Sequence, residues 1–149
     1  MISGQRKNLP AHTTTYFRPE HLSAFVCGID LARPNIGVSY RGLDTQGGAS
    51  VHHLQFQAAS EDAVDQLISE FHVYLDTSTL RVVKTAYWIF APDTFVNRSL
   101  WETNYENYQT IGGVLFPMHI QHSLAGNHLD DWNFTSVRND TPISQSDFN

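Results

Sequence analysis

Histidines and acidic residues are the side chains of this sequence that could bind a metal ion or carry a proton. The chain has eight histidines; His52 and His53 are adjacent, and His119 lies three residues before His122. On a β-strand, adjacent residues and residues three apart point to opposite faces of the sheet. Both pairs fall in predicted strands, so the members of each pair should diverge. The sequence therefore predicts no metal site, and no other cofactor is expected.

Catalytic motifs are missing from the sequence. Asp130 and Asp131 are adjacent, but the D-x-[DN]-x-[DN]-G spacing of a calcium loop is absent. Cys27 lies six residues after His21, so the two are not neighbours on a helix, and we expect a structural cysteine. Nucleophile-elbow, zinc-protease and phosphate-loop motifs do not occur. The sequence predicts a protein that is not an enzyme; a small hydrolase using a histidine and an aspartate remains a third option behind two binding functions.

The aromatic residues say more about function. They recur on successive predicted strands, often beside polar neighbours, which predicts a sheet with one strongly apolar face. Too little helix is predicted to cover that face. One interpretation is an ordinary core, closed by the curl of the sheet and the helices. The other is a curved, open sheet whose concave face holds an apolar ligand. The predicted ligand-binding residues are Tyr40, Phe56, Trp88, Trp101, Phe116 and Trp132.

The elements that must position these aromatic residues are mostly strands. Hydrophobic residues alternate with polar ones from Ile36 onward, with turn residues between the runs. A helical stripe that follows Ser60 interrupts the alternation once. We expect six to eight antiparallel strands in one curved sheet, short helices near residues 18–27 and 60–70, a loop over 92–98 and a last strong strand over 129–137. The predicted fold is mainly β (α+β), an open half-barrel with one or two short helices.

Composition excludes several classes of protein. The chain has 149 residues and a formal net charge of −6, and its nine basic residues are scattered along the sequence. Without a basic stripe we expect no nucleic-acid partner. No apolar stretch approaches the roughly 20 residues that a membrane-spanning helix needs, so no transmembrane segment is expected. The single cysteine excludes an intrachain disulfide.

The length predicts one domain. We expect a flexible tail over residues 1–15 and a single domain over 16–149. The first fifteen residues contain no apolar signal core. The sequence therefore predicts a periplasmic protein if an upstream leader is missing from this chain, and otherwise a cytoplasmic one.

Three phrases of the sequence, in this order, resemble the outer-membrane lipoprotein carrier superfamily (LolA-like and LolB-like). The first is FHVYLDTSTLRVVK over residues 71–84, in which a strand ends in Asp, a turn contains Thr and the next strand carries a basic residue. The second is YENYQTIGGVLFPMHI over residues 105–120, which looks like the hairpin of that group. The third is FTSVRN over residues 134–139 with the tail that follows it. The resemblance covers about residues 36–149.

That resemblance implies a highly curved antiparallel half-barrel with helices over its concave face, in a short or N-terminally truncated member of the family. It also implies a non-enzymatic binding protein whose partner is an apolar small molecule or an acylated protein. The alternative function is a β-sheet interaction or assembly domain. Such a domain would form a homodimer through its aromatic face or an open sheet edge.

Overall fold

The computed structural model describes residues 36–59, 61–91 and 94–138. Within these ranges, seven strands form one antiparallel sheet in which each strand pairs with the next along the chain. The sheet is curved and does not close, so the first and last strands form its edges. This confirms the predicted mainly β, open half-barrel. The elements in chain order are β1 (Ile36–Gln46), β2 (Ala49–Ala58), α1 (Ala63–Ser69), β3 (Phe71–Asp76), β4 (Val82–Ala91), β5 (Thr94–Ile111), β6 (Val114–Leu124) and β7 (Asn127–Asn133).

Two-residue turns connect three of the strand pairs. Gly47-Gly48 joins β1 to β2, and Gly112-Gly113 joins β5 to β6, with positive φ at both residues of each turn. A turn of this kind matches the twist of the strands it connects, and glycine adopts it without a steric cost. The β6–β7 turn has the same form, but its first residue is Ala125, at φ 51.

A carboxylate organises the hairpin between β3 and β4. Asp76 Oδ1 accepts hydrogen bonds from the backbone N–H groups of Ser78 and Thr79 and from the Thr79 hydroxyl, at 3.1, 2.7 and 2.8 Å. These hydrogen bonds, those of Thr79 first, lower the pKa of Asp76. The sequence signal for this turn, an Asp followed by Thr and Ser, thus has a direct structural cause.

Helix α1 is tied to the end of β2. Ser69 Oγ accepts a hydrogen bond of 2.8 Å from Ala58 N, and the Gln57 amide donates one of 3.0 Å to Gln66 O. The prediction of a helix near residues 60–70 is confirmed. The helix predicted near 18–27 and the tail over 1–15 lie outside the described residues. No helix in the described part of the chain is long and apolar enough to cross a membrane.

Two predicted boundaries are wrong. The sequence predicts a loop over residues 92–98, but β5 begins at Thr94 and runs for 18 residues. The last strand begins at Asn127 and ends at Asn133, two residues earlier than the predicted start and four before the predicted end. In both places the pairing partner decides the boundary: Arg98 and Ser99 pair with β4, and Asn133 is the last residue of β7 paired with β6.

Candidate functional site

The strand register gives the sheet one face on which rings lie side by side. Residues directly opposite each other on antiparallel strands point to the same face. Phe71 pairs with Tyr87, and Tyr87 pairs with Trp101; the ring centroids in both pairs are 6.3 Å apart and nearly parallel. We call this side of the sheet the aromatic face. Its rings include Phe56, Phe71, Tyr87, Trp101, Tyr105 and Trp132.

A row of polar side chains crosses the same face. Thr85, Thr103, His122 and Asp130 stand opposite one another on β4, β5, β6 and β7. The first three are buried, whereas half of the Asp130 side chain is exposed. We call these four residues the polar row. It leads from the buried middle of the aromatic face to its edge at β7.

Hydrogen bonds satisfy the buried members of the polar row. The Thr85 hydroxyl lies 3.2 Å from the hydroxyl of Tyr105, and Trp101 Nε1 donates a hydrogen bond of 3.2 Å to Thr103 Oγ1. Buried hydroxyls need such partners, because an unpaired polar group in an apolar setting costs free energy. Across the described residues, every buried side-chain nitrogen or oxygen has a partner.

His122 is the centre of the aromatic face near β7. Its ring centroid lies 5.5 Å from that of Trp101 and 5.0 Å from that of Trp132, the latter in an edge-on arrangement. Its Nδ1 lies 2.5 Å from Asp130 Oδ1, so the N–H donates to the carboxylate. Only 3% of His122 is exposed. The face therefore holds a histidine–aspartate pair between two tryptophans.

Five of the six predicted ligand-binding residues lie on the aromatic face. Trp101 and Trp132 flank His122, and Phe56 pairs with Phe71. Phe116 lies further along β6, on the same side as Ile120, and packs edge-on against Phe134 at 5.3 Å. Tyr40 pairs with Leu54 on β2, which places it on this face too.

Trp88 lies on the opposite face, so the expectation that all six residues share one face is wrong. It pairs with Leu100, whereas its neighbour Tyr87 pairs with Trp101. The Arg98 guanidinium stands 4.1 Å from the centroid of the Trp88 ring. The apolar run from Ala86 to Ala91 has no alternation, so the sequence could not tell which of the two adjacent aromatic residues faces the other rings.

The five residues extend from one edge strand of the sheet to the other. Tyr40 is on β1 and Trp132 is on β7, the two edges of the sheet. Six strand spacings separate those edges, or about 29 Å along the sheet. Tyr40 is 58% exposed, and its hydroxyl is joined to His52 Nδ1 by a hydrogen bond of 3.0 Å.

The opposite face carries most of the charged side chains of the described strands, alongside the buried apolar residues Val51, Ala86 and Phe90. Lys84 forms an ion pair with Glu102 and donates a hydrogen bond of 3.2 Å to Gln46 Oε1. On the neighbouring strands, His53 Nε2 lies 2.9 Å from His72 Nδ1. Burial, and then the nearby His72, lower the pKa of His53. These contacts form a hydrogen-bonded network beside the apolar residues of that face.

The same opposite face holds a second histidine cluster near β7. His119 lies between two carboxylates, with Nδ1 3.0 Å from Glu106 Oε2 and Nε2 2.8 Å from Asp131 Oδ1. His128 Nε2 lies 2.6 Å from the other oxygen of Asp131. The hydrogen bonds to Asp131 and then to Glu106 raise the pKa of His119. The hydrogen bond from His119 lowers the pKa of Asp131.

The predicted divergence of the histidine pairs is confirmed. His119 pairs with Asn133 and His122 pairs with Asp130. These two partners are three residues apart on β7, so they point to opposite faces, and the two histidines do the same. His52 and His53 also diverge, the first towards Tyr40 and the second towards His72. Within the ranges described, no group of three or more histidine, cysteine or acidic residues is arranged to hold a metal ion.

The predicted set of ligand-binding residues leaves out several residues of the aromatic face: Phe71, Tyr87, Tyr105, Thr103 and His122. A signal existed for two of them. Trp101, Thr103 and Tyr105 alternate strictly with polar residues, so any face that includes Trp101 includes the other two. For His122 there was no signal, since its two tryptophan neighbours belong to other strands.

Comparison with known proteins bears on the fold. No protein-family model matches the chain, and no curated protein sequence is similar to it. A similar solved structure is an outer membrane lipoprotein-sorting protein domain from Vibrio parahaemolyticus, with a TM-score of 0.53 and 14% sequence identity. The match covers 77% of this chain and 46% of that one, so the chain spans less than half the length of that structure. The described sheet is therefore similar in fold to a lipoprotein-sorting domain, and the resemblance read from the sequence is confirmed at the level of the fold.

Proposed function

We propose that this protein is a non-enzymatic binding protein of lipoprotein-carrier type, which holds an apolar ligand or the acyl chain of a lipid-modified partner on its aromatic face. The observation that carries the proposal is the continuous set of rings from Phe71 through Tyr87, Trp101 and His122 to Trp132. Ligand sites are commonly lined by aromatic and aliphatic side chains with few polar groups, as this face is.

The distribution of exposure supports binding at the β7 side of this face. Thr103 is 2% exposed and Tyr105 is 3% exposed in the middle, whereas Trp132 at the edge is 41% exposed. The middle of the face is therefore covered by other atoms of the protein, and its rim is accessible. A ligand would enter at the rim and contact Trp132 first. The fold of the lipoprotein-sorting domain supports a carrier role and, with it, a periplasmic location.

The test is binding of a neutral fluorescent naphthylamine, which brightens in apolar sites. We expect the native protein to bind it and Trp132→Ala to weaken binding about tenfold or more, because an engaged aromatic ring contributes a kcal/mol or more. Trp88→Ala is the matched control, since that ring lies on the opposite face. Circular dichroism confirms that both variants are folded. No binding by the folded wild-type protein, or equal losses in the two variants, would refute the proposal.

A second candidate function is homodimerisation through the β1 edge. Val38, Tyr40 and Leu43 are all more than half exposed on this strand, which lies at one edge of the sheet formed by the described residues. An exposed, apolar strand edge is a template for pairing with another chain. Sizing at micromolar concentration tests it: a dimer that Val38→Lys converts to a monomer favours assembly, and a wild-type monomer excludes it.

A further inference from the structure

We propose that the aromatic face selects amphiphiles whose polar end donates hydrogen bonds and carries no negative charge, with Asp130 as the residue that discriminates. The inference rests on the proposed function and specifies the ligand class of the same site. It follows from how the charged side chains are divided between the two faces of the sheet.

The basic side chains of the described strands lie away from the aromatic face. The strands contain Arg41, Lys84 and Arg98. Arg41 Nε donates to Gln55 on the opposite face, and Lys84 pairs with Glu102 there. Arg98 covers the ring of Trp88, also on that face. No cation from these strands is available to pair with an anionic ligand on the aromatic face.

The acidic side chains of the described strands divide in the same way, with one exception. Glu102 and Glu106 contact Lys84 and His119 on the opposite face, and Asp131 contacts His119 there as well. Asp44 on β1 and Asp76 on β3 both pair with Val51 on β2, and both therefore lie on the opposite face as well. Asp130 is the exception, because it pairs with His122 on the aromatic face.

The position of Asp130 suits contact with the polar end of a bound amphiphile. Its carboxylate is half exposed, and one oxygen accepts from His122 Nδ1. It stands at the outer end of the polar row, and Trp132 lies two residues further along β7 on the same face. An apolar chain lying along the tryptophans would therefore place its polar end beside this carboxylate, at the rim.

Electrostatics then favours one class of ligand. A carboxylate or phosphate end group would lie near Asp130 with no lysine or arginine of the described strands beside it, and two like charges at short range in a partly desolvated site repel. An ammonium or hydroxyl group would instead donate a hydrogen bond to the carboxylate, which is stronger when the acceptor is charged. Discrimination between these ligands should be roughly tenfold, about the effect of one such charge at the surface of a protein.

Three single-chain amphiphiles of equal chain length test the proposal: dodecylamine, monolaurin and dodecanoate. Each is titrated at neutral pH, fixed ionic strength and below its micelle concentration, with displacement of the neutral naphthylamine as the readout. We expect dodecylamine and monolaurin to displace the dye at roughly tenfold lower concentration than dodecanoate. Asp130→Asn should remove most of that difference. Asp131→Asn should leave it unchanged, because this neighbouring carboxylate lies on the opposite face. Asp130→Glu keeps the charge and should keep the difference.

Each outcome decides a separate point. Dodecanoate binding as tightly as the other two, with the dye displaced by all three, overturns the selectivity while the carrier function stands. A difference that persists in folded Asp130→Asn overturns the assignment to Asp130. Failure of the dye and all three amphiphiles to bind the folded protein refutes the proposed function itself, and the selectivity with it.

Discussion

The ring of His122 meets the ring of Trp132 edge-on, at 75° and a centroid separation of 5.0 Å, across the pair of strands that forms one edge of the sheet. The histidine is buried and the tryptophan is partly exposed. This contact joins the interior of the aromatic face to its accessible rim. It also ties edge strand β7 to the rest of the sheet through side chains as well as through the backbone.

Removing His122 should destabilise the protein. His122→Ala removes a buried ring between two tryptophans and leaves Asp130 without its hydrogen bond. We expect the free energy of unfolding to fall by about 2 kcal/mol, the usual cost of a buried cavity plus a lost polar contact. Urea unfolding measures it. His128→Ala, at an exposed site, should cost less than about 1 kcal/mol. Equal losses in the two variants would contradict the claim that the buried ring of His122 stabilises the protein more than an exposed histidine does.

The interaction of His119 with its carboxylates should make stability depend on pH. Hydrogen bonds to Asp131 and Glu106 raise the pKa of His119 above 6.5. Because its pKa is higher in the folded state, His119 stabilises the protein fully below about pH 6.5. This stabilisation is lost as the pH rises through the pKa of His119 in the folded state. Relative to wild type, His119→Gln should therefore be least stable in mild acid, and the two unfolding curves should converge towards alkaline pH.

The control for that pH series is His52→Gln, since His52 is hydrogen-bonded to the Tyr40 hydroxyl and not to a carboxylate. The pH dependence that exceeds that of this control measures the contribution of the carboxylates around His119. At the acidic end, the lowered pKa of Asp131 sets a second limit, because the stability it contributes is present above 3.8 and is lost as the pH falls below that value. A wild-type-minus-His119→Gln difference that stays constant with pH would contradict the account.

Replacement of Ala125 by glycine should stabilise the protein. It holds φ 51 in the β6–β7 turn, a conformation that costs a residue with a Cβ about 1 kcal/mol and costs glycine almost nothing. We expect Ala125→Gly to raise the free energy of unfolding by about 0.5 kcal/mol, after the greater freedom of glycine in the unfolded chain is subtracted. Ala49→Gly, in strand β2, should lower it by about 0.5 to 1 kcal/mol. The opposite order would contradict the predicted backbone strain.

Gly126→Ala tests the same turn from the other side. Gly126 has φ 79, and no atom lies within 4 Å of the position a Cβ would take. Any loss of stability therefore comes from the backbone conformation and not from a clash. We expect a net loss of about 0.5 to 1 kcal/mol in thermal or urea unfolding, because the strain on alanine exceeds what its smaller freedom in the unfolded chain returns. A neutral substitution would mean that the turn relaxes to another form without cost.

The sequence predicts this fold well where hydrophobic and polar residues alternate. Trp101, Thr103 and Tyr105 show their common face by alternation alone, and the glycine pairs locate two of the turns. Trp88 shows the limit of that reasoning. It lies in an apolar run in which both phases of alternation fit, and only the pairing of Tyr87 with Trp101 decides which ring faces the others.

The candidate site depends even more on contacts between strands. His122 is recognisable in the sequence as one member of a diverging pair, but its position between Trp101 and Trp132 depends on the registers of β5–β6 and β6–β7. The second register shifts between His122 and Ser123. Such a shift of one residue is not visible in the composition of either strand, so the histidine–aspartate pair could not be placed beforehand.

Nuclear magnetic resonance of the indole N–H groups tests the central claim most directly. The chain has three tryptophans, and each gives its own indole signal. Trp101 and Trp132 flank His122 on the aromatic face, and Trp88 lies under Arg98 on the opposite one. Titration with monolaurin, below its micelle concentration, should shift the signals of Trp101 and Trp132 in a saturable way and leave that of Trp88 in place. A shift of Trp88 alone, or no saturable shift in any of the three, would contradict binding at the aromatic face.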